Sequence, residues 1–151
     1  MDTSNWIALA ALLISLASFG ISAYAVFLDR PRLKASAEYI LGHDDFSQEH
    51  LIIKITNTGK GSAVLRLFGG TLESGSDSAE YLGHFDHGLR LGSHDFYERK
   101  LTREDIYVHM PDEDSRYVDL WFEDSLGNRY PVARSKELIH RLLSAYGDIR
   151  S

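Results

Sequence analysis

The chain opens with an unbroken apolar run. From Trp6 to Leu28 there are 23 residues, none of them charged near neutral pH. At about 1.5 Å per residue this predicts roughly 34 Å of helix, enough to cross a hydrocarbon core of about 30 Å. Trp6 marks one interface, Tyr24 and Phe27 lie toward the other, and Pro31 stops the helix, because the residue before a proline avoids helical geometry. Small residues recur within the run at Ala8, Ala11, Ser15, Ser18, Ser22 and Ala25, with spacings of 3, 4, 3, 4 and 3. That is a seam on one helix face, opposite Leu9, Leu12, Leu16 and Phe19. Small residues let two backbones approach closely in lipid, where apolar bulk gives no drive to associate. The seam therefore predicts a helix–helix contact, with a second copy or with another membrane protein.

After Pro31 the periodicity changes to two. Lys34–Leu41 reads as a first strand. In His50–Thr56, Leu51, Ile53 and Ile55 share one face. Asn57-Thr58-Gly59-Lys60-Gly61 reads as a turn, and Ala63–Leu72 as a strand with Leu65 and Leu67 inward and a bulge or bend at Gly69-Gly70. Further expectations are a polar loop at Glu73–Ser78, strands at Glu80–Phe85, Phe96–Leu101 and Ile106–Met110, a turn at Thr102–Asp105 and an acidic loop at Pro111–Asp114. Tyr117–Glu123 alternates clearly, with Val118, Leu120 and Phe122 inward and Tyr117, Asp119, Trp121 and Glu123 outward. Asp124–Asn128 then joins it to Arg129–Ala133, which Pro131 places at a sheet edge. Last comes a helix, Ser135–Tyr146, capped by Ser135, with Leu138, Ile139, Leu142, Leu143 and Tyr146 on one stripe.

About seven strands with turns between them predict a mainly β fold, an immunoglobulin-like two-sheet sandwich behind an N-terminal transmembrane helix and ahead of an amphipathic helix. The domains are 1–5 (tail), 6–28 (spanning helix), 29–34 (basic collar), 35–134 (sandwich) and 135–151 (C-terminal helix and tail). The stripe of the last helix packs on the sandwich or docks a partner through Leu138 and Leu142. Tyr117 and Trp121 are the matching candidates for a partner surface on the sheet.

Charge sharpens the picture. Arg30, Arg32 and Lys34 follow the apolar run directly, and no Lys or Arg precedes it. The positive-inside rule then places the N-terminus outside and the domain in the cytoplasm, on the inner membrane. Beyond Ala35, 13 Lys and Arg face 20 Asp and Glu. Such an acidic domain repels a phosphate backbone, which argues against a nucleic-acid partner. The chain has no cysteine, which excludes disulfides, thiolate metal sites and cysteine nucleophiles. A cleaved leader competes with the anchor, since Ala23-Tyr24-Ala25 mimics a cleavage site. Against it stand the first five residues, which hold no Lys or Arg, and the length of the run. A buried core helix and an interfacial helix fit less well, for want of polar breaks and of a charged face.

Catalytic patterns are sparse. Gly83-His84-Phe85-Asp86-His87-Gly88 with His94-Asp95 gathers three imidazoles and two carboxylates in twelve residues, a donor set that suits a divalent metal through His84, His87 and His94. A histidine-bearing surface loop is the simpler reading. His43-Asp44-Asp45 reads as a solvated turn. No G-x-S-x-G occurs, and Gly59-Lys60-Gly61-Ser62 lacks the first glycine of a phosphate loop. No cofactor and no small-molecule substrate are indicated. A non-enzymatic interaction module is the expectation; a metal-dependent enzyme or metal sensor on the His84–Asp95 segment is the alternative.

The helix ending in Asp29-Arg30-Pro31-Arg32-Leu33, the strand running into Asn57-Thr58-Gly59-Lys60-Gly61 and the late hairpin Trp121–Tyr130 together resemble small bacterial single-pass membrane-anchored proteins with immunoglobulin-like domains. The resemblance covers most of the chain, as architecture and turns. It implies a tethered sandwich and carries over no functional residue. The histidine-rich middle and the C-terminal helix depart from it.

Overall fold

The computed structural model describes residues 3–42, 48–84, 87–109 and 114–145. A 26-residue helix, α1 (Thr3–Leu28), leads into nine strands: β1 (Leu33–Ile40), β2 (His50–Asn57), β3 (Ala63–Leu72), β4 (Asp77–Tyr81), β5 (Leu89–Leu91), β6 (Phe96–Leu101), β7 (Tyr107–His109), β8 (Asp114–Asp124) and β9 (Arg129–Pro131). A single helical turn, α2 (Arg103–Ile106), precedes β7, and α3 (Ser135–Ser144) ends the fold. One sheet has the order β1-β2-β6. The other has β4-β3-β8-β7, with β5 paired beside β4 on β3 and β9 beside β7 on β8. All pairings between named strands are antiparallel. The two sheets pack face to face as a β-sandwich.

The period-2 runs explain the core. Leu51, Ile53 and Ile55 of β2 face Leu65 and Phe68 of β3 and Leu120 and Phe122 of β8, all buried in one cluster. Phe122 stacks obliquely on Phe68, with ring centroids 5.0 Å apart. From the opposite sheet Tyr97 meets Phe122 edge-on at 6.3 Å, which ties the two layers together. Leu138, Ile139 and Leu142 of α3 belong to the same cluster, so the helix closes the sandwich over β8.

Several expectations need correction. Leu67 is only half-buried, and Phe68 takes the inward place. The register of β3 against β8 shifts between Leu65 and Leu67, and the extra residue reverses the alternation beyond it. A second shift falls between Thr71 and Leu72, opposite Asp119 and Tyr117, so half-buried Tyr117 and not Val118 packs on the core. Gly69-Gly70 between the two shifts lie in regular pairing: a Cβ on Gly69 would strike β4 at Ser78 and Ala79, and one on Gly70 would strike Asp119 and the Tyr117 ring. The segment read as a polar loop contains the start of β4, and that strand ends at Tyr81. Strand β5 was not expected; three residues carry too little alternation to show. The turn at Thr102–Asp105 is helical and runs through buried Ile106. Ser135 does not cap α3. Arg134 holds that place with φ 62°, while the Ser135 hydroxyl is buried against the Asp119 carboxylate. His43-Asp44-Asp45, Phe85, Asp86, residues 110–113 and Tyr146 lie outside the described residues.

Candidate functional site

Helix α1 is long and apolar enough to span a membrane, and no residue of it is buried against the rest of the chain. Between its first and last turns its backbone polar groups are paired within the helix, which lipid requires. Ala8, Ala11, Ser15, Ser18, Ser22 and Ala25 are all exposed. The Ser22 hydroxyl donates to the Ser18 carbonyl at 2.9 Å, so that donor is already engaged inside the helix. Arg30 and Arg32 both lie over the Phe27 ring at 5.8 Å, which holds the start of the collar against the helix end.

Four residues, 29–32, separate α1 from β1, and the sandwich grips them. Asn57 continues the inward series of β2 and is fully buried. Its Oδ1 accepts from Arg32 N at 3.1 Å and Gly59 N at 3.0 Å. Its Nδ2 donates to Gly61 O at 2.6 Å and Gly92 O at 2.9 Å. The backbone N–H and the hydroxyl of Thr58 both donate to Arg32 O, at 2.8 and 3.0 Å. Gly59 and Gly61 lack side chains for a steric reason: a Cβ at Gly59 would enter the Arg30–Arg32 backbone, and one at Gly61 the Asp29 carbonyl. The turn between β5 and β6 completes the clamp, with Ser93 Oγ donating to Gly59 O at 3.0 Å and His94 N to Asn57 O at 2.9 Å. Asn57 is thus a polar hub joining the helix exit to two turns of the sandwich. Read as a turn residue, it escaped the sequence analysis as a site. The signal was its parity: position 57 follows 51, 53 and 55, and a polar side chain on a buried face must find partners.

The candidate partner residues lie elsewhere than expected. Leu138 and Leu142 are buried core, so the docking reading of α3 does not hold for them. Trp121 points away from the main core, yet only 7% of it is exposed. It pairs with Gly69 on one side and Pro131 on the other, and Arg129 covers its ring at 4.1 Å. Arg129 is itself held by Asp77 at 2.6 Å and Glu123 at 3.0 Å. Tyr117 is half-buried over Gly70, its hydroxyl 3.4 Å from Ser78 Oγ. A shallow cavity of about 480 Å³ lies between β8 and α3, floored by Val118, Ile139 and Leu143 and edged by Arg116, Lys136 and His140. Arg116 is paired there with Glu73 and Lys136 with Asp119.

The histidines do not assemble a metal centre. Among the described residues no three of His, Asp, Glu or Cys gather as ligands. His84 and His87 lie in the turn between β4 and β5, whereas His94 belongs to the clamp turn with φ 63°. Electrostatic perturbation centres on the β8–β9 hairpin instead. Burial works to raise the Asp124 pKa, but hydrogen bonds from Asn128, Tyr130 and the Leu126 N–H outweigh it and leave the carboxyl below its ordinary value. Burial, then the bond to Asp124, pushes the Tyr130 phenol up to about 12. Both serve to hold a hairpin.

No protein-family model and no curated protein matches the chain. Among solved structures it is similar to an X-ray structure of a Northeast Structural Genomics Consortium target, at 17% identity over 70% of this chain and 83% of that chain, with a TM-score of 0.26. A likeness at that level carries no functional argument. What the chain itself defines is a β-sandwich joined through a pinned four-residue link to an exposed apolar helix.

Proposed function

We propose that this protein is a non-enzymatic, single-pass membrane-anchored interaction module. Helix α1 is its signal anchor, the sandwich lies on the cytoplasmic side of the inner membrane, and α1 pairs with a second copy or with another membrane protein through its small-residue seam. The observation that carries this reading is the union of an entirely unburied apolar helix with a link that the sandwich grips at Arg32. A rigidly held domain keeps its orientation on the bilayer, and tethering raises the effective concentration of weak contacts there. Arg30, Arg32 and Lys34 support the cytoplasmic side. Resemblance to bacterial anchored immunoglobulin-like proteins agrees with this reading.

The test is purification of the intact chain from detergent beside a variant with Ser15, Ser18 and Ser22 changed to Leu. The parent should run as the larger complex and the variant as the smaller. Equal sizes and identical co-purifying proteins would remove the seam as a contact, and recovery of the full-length chain in the soluble fraction without detergent would remove the anchor.

A further inference from the structure

The sandwich has two ends, and strand registers show which one adjoins α1. Leu33 pairs with Asn57 and Phe96 with Thr56, so both strand ends sit at the clamp. Gly61 packs on Asp29, β3 starts two residues later, and Ser125 N donates to Val64 O at 2.8 Å. The β8–β9 hairpin therefore shares that end. Two of the most exposed apolar side chains of the domain are found here: Leu126, 84% exposed at the hairpin tip, and Phe96, 55% exposed with Lys54 Nζ over its ring at 4.0 Å. Asp124, the nearest acid to Leu126, is occupied by Tyr130, Asn128 and two backbone N–H groups. Around the same end stand Arg30, Arg32, Lys54, Lys60 and Arg90 against Asp29 in the link and Asp95, whose carboxylate accepts from the Gly92 N–H, in a chain whose net charge is −6.

We propose that this end of the sandwich rests on the bilayer, with Leu126 and Phe96 entering the interfacial layer and the basic residues facing the phosphates of anionic lipids. The inference rests on the anchored reading of α1, which leaves the domain only four residues from the membrane surface. An apolar tip flanked by basic side chains fits that layer, where aromatic and aliphatic groups meet the acyl boundary and Lys and Arg meet head groups. The acidic balance of the whole domain makes the local positive sign informative: a surface placed by chance would be negative. Lipid is also the occupant continuous with the helix that the same residues clamp.

The chain has no cysteine, so single-cysteine labelling is unambiguous. Leu16→Cys reports on the middle of α1, Leu126→Cys and Phe96→Cys on the rim, and Ser74→Cys on the opposite end. Each full-length variant carries an environment-sensitive fluorophore in vesicles of phosphatidylcholine with or without phosphatidylglycerol, and is quenched by lipids spin-labelled at shallow or deep positions. Deep quenching at position 16, with shallow quenching at 126 and 96 several-fold above that at 74, is expected. Quenching at 126 should fall when phosphatidylglycerol is omitted, while that at 16 stays unchanged. Deep quenching at 16 with positions 126 and 96 no different from 74 would overturn the resting surface and leave the anchor intact. Loss of quenching at 16 as well would overturn both. Equal quenching at 126 in the two vesicle compositions would overturn the role given to the basic residues.

Discussion

Replacing Asn57 with Ala tests whether the clamp is held by this one side chain. The substitution removes five hydrogen bonds: two accepted from Arg32 and Gly59, two donated to Gly61 and Gly92, and a long one of 3.5 Å donated to Leu91 O. A typical bond contributes about 1 kcal/mol net, and a partner left buried and unpaired costs about 1–3 kcal/mol. The Gly59 and Leu91 bonds are buried, and the other three are partly so, where water can replace some of the loss. The sum is about 3–5 kcal/mol, which for a domain of this size lowers Tm by roughly 10–20 °C. Asn57→Asp sharpens the test. It keeps both acceptor roles but loses both donors and sets a carboxylate against the carbonyls of Gly61 and Gly92. It should therefore destabilise at least as much as Ala. Thermal unfolding in detergent, followed by near-ultraviolet circular dichroism, reads the sandwich separately from the α1 helix signal. Amide exchange at Arg32 and Thr58 should rise in both variants, because these amides mark the grip on the link. If Asn57→Ala melts within about 1 kcal/mol of the parent, water or the Thr58 bonds suffice and the hub is not what secures the junction.

Two further outcomes follow from the hairpin and from the covered tryptophan. Because the folded Tyr130 phenol is raised to about 12 from an ordinary 10.0, its contribution to stability is complete below pH 10 and is lost as pH climbs toward 12; Tyr130→Phe should flatten that alkaline limb in a stability–pH series. In a Trp6→Phe background Trp121 is the one remaining indole, and Arg129→Ala should shift its emission to longer wavelength and increase its quenching by acrylamide, because Arg129 is the side chain stacked over the ring. Unchanged emission would mean that Gly69 and Pro131 alone keep water away.

How far the sequence discloses this molecule depends on which interactions decide each part. The apolar helix, β2, Leu120 and Phe122 of β8 and the stripe of α3 are legible because burial alone sets them, and burial writes a period into the chain. Leu67 and Phe68 exchange roles for a reason no period contains: the register shift on β3 is a relation between two strands far apart in sequence. Trp121 illustrates the same limit. Its outward parity is correct, but what covers it comes from Arg129 and the paired Pro131, so parity alone does not measure exposure. The candidate histidines show the opposite error, since closeness in sequence suggested a ligand set that β5 divides between two turns.

Asn57 joins these two kinds of information. Its parity places it inside, and its chemistry forbids it to be there without partners; together they imply a buried network at the end of β2. Which groups complete that network depends on the fold bringing residues 32, 59, 61 and 92 to one point. The helix exit is one of those groups. The position of the sandwich relative to α1 is therefore determined inside the domain's own polar core, and a link of four residues, all packed against two glycines that admit no side chain, behaves as part of that core and not as a flexible tether.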